Sequence, residues 1–465
     1  MSNVRYTVAG GLTPEQLDAI HRTALRVTAE VGVEVGLPEI IERVAGERGV
    51  SIEGTRVRLA PDLVEQCVRE YRAEHAEAGD GDGGFTVDVL TGFAFQVLDV
   101  ETDELRPMST DDCIEGAKLV DALHAAGVRG GTPGLPQDAP PQLREILAYK
   151  IGCEHSRTAA HVGVTSMRGA EIVYEMSRAA GKPFDLPVFV LSPLRVEGDS
   201  IAMALAFLEQ GREVNAAVHG MPLLGLTTPL PLPGAFAENV ATVLAAYVLF
   251  RLMGFGENLT YHFDLYPFDM KYGTIAYGTP EHLLSYLAGV QVNRYYGAST
   301  GSCKAFHTNA VFPDAHSLAQ RASFAALAAL NGARRFTFGG MLGIDKIFSA
   351  EQLIIDVEIL DYLGHVVRGF EFDEEALGFE AVAQVGPGGD FLTHETTLSR
   401  YRDLWVSDLF RDLSPERWEA GDRRTVKDLV RERVAALLAG YDFSPDPGVR
   451  RELDRIYDAA VRELA

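Results

Sequence analysis

An α/β fold of the (β/α)8-barrel class, with an N-terminal helical and hairpin extension and C-terminal helices, is predicted by two observations. Seven strand-like stretches between residues 128 and 340 recur at nearly even spacing, each followed by a helical pattern. Repeated βα units favour a parallel sheet, and seven or eight of them favour a closed barrel over an open one. The expected organisation is an extension over residues 1–107, a barrel over 108–398 and a helical segment over 399–465.

In the extension, Thr13-Pro14-Glu15-Gln16 is a helix start, with Thr13 as N-cap, Pro14 at the first turn and Gln16 closing a capping box. Leu17, Ile20, Ala24, Leu25 and Val27 form its apolar face, and Gly32 marks its end. Further helices begin at Pro38 and Pro61, on either side of a strand pair at residues 50–59. The run Gly79 to Gly84 is a natural boundary. Strands follow over residues 85–106.

The repeating units begin after a helix capped by Ser109. Strands are expected from Val128, Ala159, Pro187, Glu213, Asn258, Ala298 and Arg335, with helices such as 200–210, 236–252, 281–295 and 317–330 between them. For the eighth strand two candidates stand open: Gly369 to Phe372, and the strand region before residue 107.

A formal net charge of −24 argues against a nucleic-acid partner, since phosphate binding needs a basic surface. No apolar run reaches the roughly 20 residues of a membrane span, and the N-terminus shows no signal-peptide core. Cys67, Cys113, Cys153 and Cys303 lie far apart, as buried thiols in a reducing compartment would. Together these lead to the expectation of a cytoplasmic protein without nucleic-acid or membrane partners.

In a barrel, chemistry sits at the C-terminal ends of the strands. The fifth strand, within Asn258 to Met270, holds two Tyr, two Phe, one His and two Asp. Its alternation sets Leu259, Tyr261, Phe263 and Leu265 on one side and Thr260, His262 and Asp264 on the other. Aromatic faces attract ammonium groups and a carboxylate adds to the attraction, although buried aromatics also simply fill cores. If His262 and Asp264 face inward, Tyr261 and Phe263 pack outward, and Tyr266 beyond the strand becomes the better cage wall. His262 and Asp264 are the catalytic candidates. Tyr266, Tyr261, Arg195, His219, Lys304, His307, Met341 and His394 are the candidates for substrate binding. His394 ends a glycine-rich loop, Gly386 to Gly389, placed to close over the same mouth. No clustered His/Cys spacing marks a metal site, and no Gly-x-Ser-x-Gly elbow marks a nucleophile.

Several segments in order carry a family resemblance. They are Leu12 to Leu17 leading to Val31-Gly32-Val33, Val57 to Val64, Leu191 to Leu194, Asp356-x-Glu358-Ile359-Leu360, and Val385 to Leu392 with His394, Thr397 and Leu398. The chain resembles the trimethylamine methyltransferase superfamily of corrinoid-dependent enzymes, whose members are TIM barrels. It contains only the standard twenty residues and so looks like the branch without pyrrolysine, whose members demethylate betaines. Its strand-four loop, Gly220 to Pro229, carries more apolar bulk than the family's usual sequence, which points to a larger or more apolar substrate. The resemblance implies transfer of a methyl group from a quaternary or methylated amine to cobalt(I) of a corrinoid (the methylcobalamin chemistry). A separate partner protein supplies that corrinoid, so this chain holds none tightly. The alternative is a barrel enzyme or binding protein for methylated amines that no longer uses a corrinoid acceptor. Trp405, Trp418 and the apolar C-terminal helices suggest a homodimer.

Overall fold

The computed structural model describes residues 2–75, 84–159, 162–256 and 258–464. The fold is α/β. Its parallel strands form two arcs. In the first, Ser302–Cys303, Arg335–Thr337, Thr86–Val89 and Val128–Gly130 lie side by side in that order, all parallel. In the second, Leu259–Tyr261, Asn215–Gly220 and Asp185–Val190 are likewise parallel, with Val218 opposite both Tyr261 and Val188. Among the described residues no ladder joins Leu259–Tyr261 to Ser302–Cys303. The strand expected from Ala159 falls partly on residues 160–161, outside the described residues; Val162 makes a single parallel bridge to Thr91. The Gly79 to Gly83 boundary also lies outside them.

The two candidates for an eighth strand separate clearly. Thr86–Val89 lies within the parallel sheet, between Arg335–Thr337 and Val128–Gly130. Phe370–Phe372 instead pairs antiparallel with Ser2–Val4 and is exposed. Of the two candidates, the region before residue 107, otherwise assigned to the extension, is the one that supplies a strand to the parallel sheet.

The N-terminal elements form as their caps dictate. Thr13 and Gln16 complete the capping box of Pro14–Arg26, and the continuing turn ends at Gly32 with φ 79°. Pro38–Val44 and Pro61–Glu74 flank the hairpin of Val50–Glu53 and Arg56–Leu59. That hairpin joins Val33–Val35, which pairs with Arg195–Val196 just after the Asp185–Val190 strand.

The helix Leu232–Leu252 is the centre of one core. Every residue from Ala235 to Phe250 is buried, because Pro14–Arg26 and Pro61–Glu74 cover one side and the second arc the other. Burial all round removes the amphipathic period; the helix is long and apolar enough to cross a membrane, but here it is packed inside the protein. The buried apolar residues split into two large groups, one around the second arc with the N-terminal elements, the other around the first arc with Val426–Ala439. The four cysteines are buried free thiols.

The C-terminal part divides in the same way. Val426–Ala439 and Pro447–Leu464 dock on the body, the latter burying Leu453, Ile456 and Ala460. Residues 370–406 form an arm on which Ala381 alone is buried.

Candidate active site

The second-arc strands point alternate residues to opposite sides. Ala216, Val218 and Gly220 are buried in the helix layer, while Ala217 and His219 face the interior. The same alternation puts Leu259, Tyr261 and Phe263 outward and His262 and Asp264 inward. Tyr261 stacks on Tyr71 at 3.9 Å, meets Tyr247 edge-on at 4.9 Å, and donates its hydroxyl to the Tyr296 carbonyl at 2.8 Å. It is a core residue, away from the cavity it was expected to wall.

Inside, His219, His262, Asp264, Tyr266 and Lys304 line one cavity of about 360 Å³. They come from the ends of two adjacent strands of the second arc and one strand of the first, and Asp264 joins most of them. His262 Nε2 lies 3.1 Å from one carboxylate oxygen, and the Lys304 ammonium donates to the other at 2.8 Å. Lys304 also donates to the Tyr266 hydroxyl and sits 5.2 Å from the centre of that ring. Burial alone would raise the Asp264 carboxyl, but Lys304 and His262 outweigh it and hold it well below the usual carboxylate range. Burial, then the Asp264 charge, push the Tyr266 phenol far above its normal value, so it remains a protonated donor. An ammonium has three N–H groups. Two of those on Lys304 are engaged, which leaves one for a ligand.

Around this cluster stand rings that strand-end reasoning missed. Tyr277 lies 5.9 Å and His282 5.6 Å from Tyr266. Burial, then His307, lower His282 to about 3, so it is neutral. Tyr277 immediately precedes the Thr279-capped helix Pro280–Tyr296, and His282 lies within its first turn. That helix supplies cavity lining through Ser285, Gly289 and Asn293 as well. The Thr279-Pro280 start is readable from sequence; that its helix faces a cavity is not.

The other candidates lie elsewhere. His307 is fully buried, with Nδ1 2.7 Å from Asp345 but out of line for a hydrogen bond. It packs on Tyr277 at 4.2 Å, one layer behind the cavity wall. Asp345 is brought there by a turn in which Phe338, Ile344 and Asp345 all have positive φ, of 69°, 59° and 62°. Met341 is buried in that turn and gives its carbonyl to Arg321, which pairs with Asp356 at 2.6 Å. Arg195 is half exposed and pairs with Glu197 at the junction with the N-terminal sheet. His394 caps Glu395–Arg400 on the arm, and the glycine loop before it lies on the arm too. Arg195, Met341 and His394 thus do not line the cavity, contrary to expectation: the strand pairing, the buried turn and the arm carry them away from it.

The parallel α/β architecture and a polar cluster at strand ends define an enzyme-like scaffold. The chain belongs to the trimethylamine methyltransferase (MTTB) family, whose model matches residues 4–462. It is 26 % identical to the glycine betaine methyltransferase of Desulfitobacterium hafniense (strain Y51) over 97 % of this chain and 96 % of that one. It is 24 % identical to the proline betaine:corrinoid methyltransferase of Eubacterium limosum over 91 % of this chain and 93 % of that one. The fold resembles the monomethylamine methyltransferase MtmB of Methanosarcina barkeri, with a TM-score of 0.52 and 12 % identity, covering 93 % of this chain and 89 % of that one.

Proposed function

We propose that this protein moves a methyl group from a betaine-type quaternary amine to cobalt(I) of a corrinoid on a separate protein. The observation that carries the reading is the cluster of Asp264, Lys304, His262 and Tyr266 in one cavity of about 360 Å³. The fixed charges of the cluster, one carboxylate and one ammonium, balance, and Arg335, which also lines the cavity, is paired with Asp88. A neutral zwitterion suits such a site better than a bare cation. The Tyr266 ring and the His219 imidazole would flank the methylated nitrogen, and the remaining N–H of Lys304 would anchor the substrate carboxylate. His262 and Asp264 would hold the reacting end in position.

The chemistry asks little of an acid. The carbon–nitrogen bond breaks with its electron pair going to nitrogen, and the amine leaves neutral. The corrinoid supplies the nucleophile; this chain supplies desolvation and aim. The cavity holds a betaine but not a corrin ring, which stays at the mouth on its own protein. On the segments that follow the Asn215–Gly220 and Leu259–Tyr261 strands, which pair through Leu223–Leu224 and Tyr266–Pro267, Leu226, Leu230, Met270 and Tyr272 are all more than half exposed, and Gly225 sits against both Leu230 and Met270. This apolar lip is the face we assign to the corrinoid protein.

In the same reading the two arcs are parts of one (β/α)8 barrel that opens with Thr86–Val89 and takes its third strand from the stretch around Val162. The arm is covered by a second copy of the chain. Phe379, Leu392, Leu404 and Val406 are 70–82 % exposed on it, and helices as short as Glu374–Leu377, Phe379–Val385 and Glu395–Arg400 do not persist alone in water. A cover of that kind has to be permanent, whereas the corrinoid protein has to come and go. The compartment is the cytoplasm.

The test is to mix the protein with cob(I)alamin and a panel of betaines and methylamines. The expected result is conversion of the cob(I)alamin spectrum to that of methylated cobalamin, strongest with a zwitterion. No conversion by folded protein across the panel overturns the reading.

A further inference from the structure

The cavity is not confined to the interior of the sheet. Between Leu259–Tyr261 and Ser302–Cys303, where the arcs are not joined, it runs outward to the helix Pro280–Tyr296. The edge left by the missing ladder is closed by one side chain. Asn293 accepts from the Phe263 N–H at 3.0 Å and donates to the Phe263 carbonyl at 2.9 Å. Both backbone groups, which a neighbouring strand would otherwise satisfy, are thereby met without filling the gap.

Its walls differ from those of the polar cluster. Phe263, Leu265, Tyr286, Val290 and Phe324 supply its aromatic and aliphatic lining, Asn293, Ser299, Thr300, Ser302 and Arg335 add polar groups to the same cavity, and two small residues, Ser285 and Gly289, face it one helical turn apart. Ser285 turns its hydroxyl back to the Glu281 carbonyl at 2.8 Å, so it offers the compartment no free donor. A Cβ on Gly289 would make ordinary contact with the Phe263 carbonyl at 3.6 Å and the Phe236 ring at 3.7 Å, without a clash, and no turn or positive φ requires glycine there. Neither Ser285 nor Gly289 sends a long side chain into the compartment, so a longer one at either position would have to enter it.

We infer that this side compartment receives an apolar substituent of the substrate, and that Ser285 and Gly289 set how large it is. The inference rests on the methyl-transfer reading. With the ammonium and carboxylate held by the polar cluster, a group branching from the carbon between them points toward the gap. A total of about 360 Å³ lies in the range of pockets that enclose ligands of drug size, more than a betaine with a single methylene arm fills. The substrate class is a trimethylated amino-acid betaine with an apolar side chain.

The experiment measures calorimetric affinity of the intact protein for glycine betaine and for the trimethyl betaines of alanine, valine and phenylalanine, with methyl transfer to cob(I)alamin as a second readout. Valine or phenylalanine betaine is expected to bind tighter than glycine betaine by about 10-fold or more. Gly289→Leu is expected to cut that preference about 10-fold, Gly289→Ala by less. Ser285→Leu repeats the test from the neighbouring turn should Gly289→Leu fail to fold. Equal or weaker binding of the larger betaines, or folded variants that weaken all four ligands alike, overturns the inference and leaves a packing gap. No binding and no transfer with any of the four overturns the methyl-transfer reading with it.

Discussion

Two stretches of this chain are dense in large apolar residues, and the fold treats them in opposite ways. In 258–270 the aromatics on and just after the Leu259–Tyr261 strand are buried: Tyr261, Phe263 and Tyr266 are at most 2 % exposed, and the polar residues between them face a cavity. In 370–406 the large apolar side chains are turned to water and Ala381 alone is buried. The first stretch has an alternating pattern matched to a strand between two layers. The second has short helices separated by glycines and no layer to face. Apolar residues close a site where a scaffold surrounds them, and make a surface where none does.

The most forceful way to break this comparison is to charge the arm. Phe379→Glu with Leu392→Glu is expected to convert the proposed dimer to monomer in sedimentation velocity. The body should stay folded, because neither residue touches a core. A wild-type protein that is already monomeric at micromolar concentration would remove the proposed cover, and the arm would then have no explanation in a second copy.

Within the first stretch, the two tyrosines five residues apart separate packing from binding. Tyr261→Ala is expected to cost about 3–5 kcal/mol of stability in denaturant unfolding, since it removes a ring wedged between Tyr71, Tyr247 and Phe263. Betaine affinity should be nearly unchanged. Tyr266→Ala is expected to weaken binding by about 1–2 kcal/mol. If Tyr261→Ala is the one that loses affinity, the inside and outside of the Leu259–Tyr261 strand have been exchanged.

How much of this was legible follows from what each pattern encodes. Period-two alternation at 259–264 announced which side chains share a face, and the structure keeps His262 and Asp264 together for that reason. Pro14, Pro61 and Ser109 announced helix starts because caps are local chemistry. The strand Thr86 to Val89 was legible as a strand, but its place in the parallel sheet stood open against Gly369 to Phe372, because pairing partners are far apart in the chain. His282, Ser285 and Gly289 were hidden because a gap between strands is a property of pairing, and pairing partners are far apart in the chain. His394 was drawn to the mouth by a glycine-rich sequence that speaks only of a turn. Gly386 and Gly388 do make that turn, with φ of 67° and 83°, but on the arm.

The cavity half of the comparison also has a signature in pH that the arm lacks. His282 is buried among Tyr266, Tyr277 and Phe324, and its folded value of about 3 lies below the ordinary histidine value. Between those two values the unfolded chain binds a proton that the folded chain does not, so stability is complete above about 6.5 and falls as pH is lowered toward 3. The loss is at most about 1.4 kcal/mol per pH unit from this one group. His282→Phe is expected to flatten the slope of denaturant stability between pH 6 and 4 relative to wild type, while Asp264, whose folded value lies below its unfolded one, contributes a loss that begins only near pH 4. An unchanged slope in His282→Phe would mean that the imidazole charges in place, and the cavity wall it forms would then be wetter than its packing indicates.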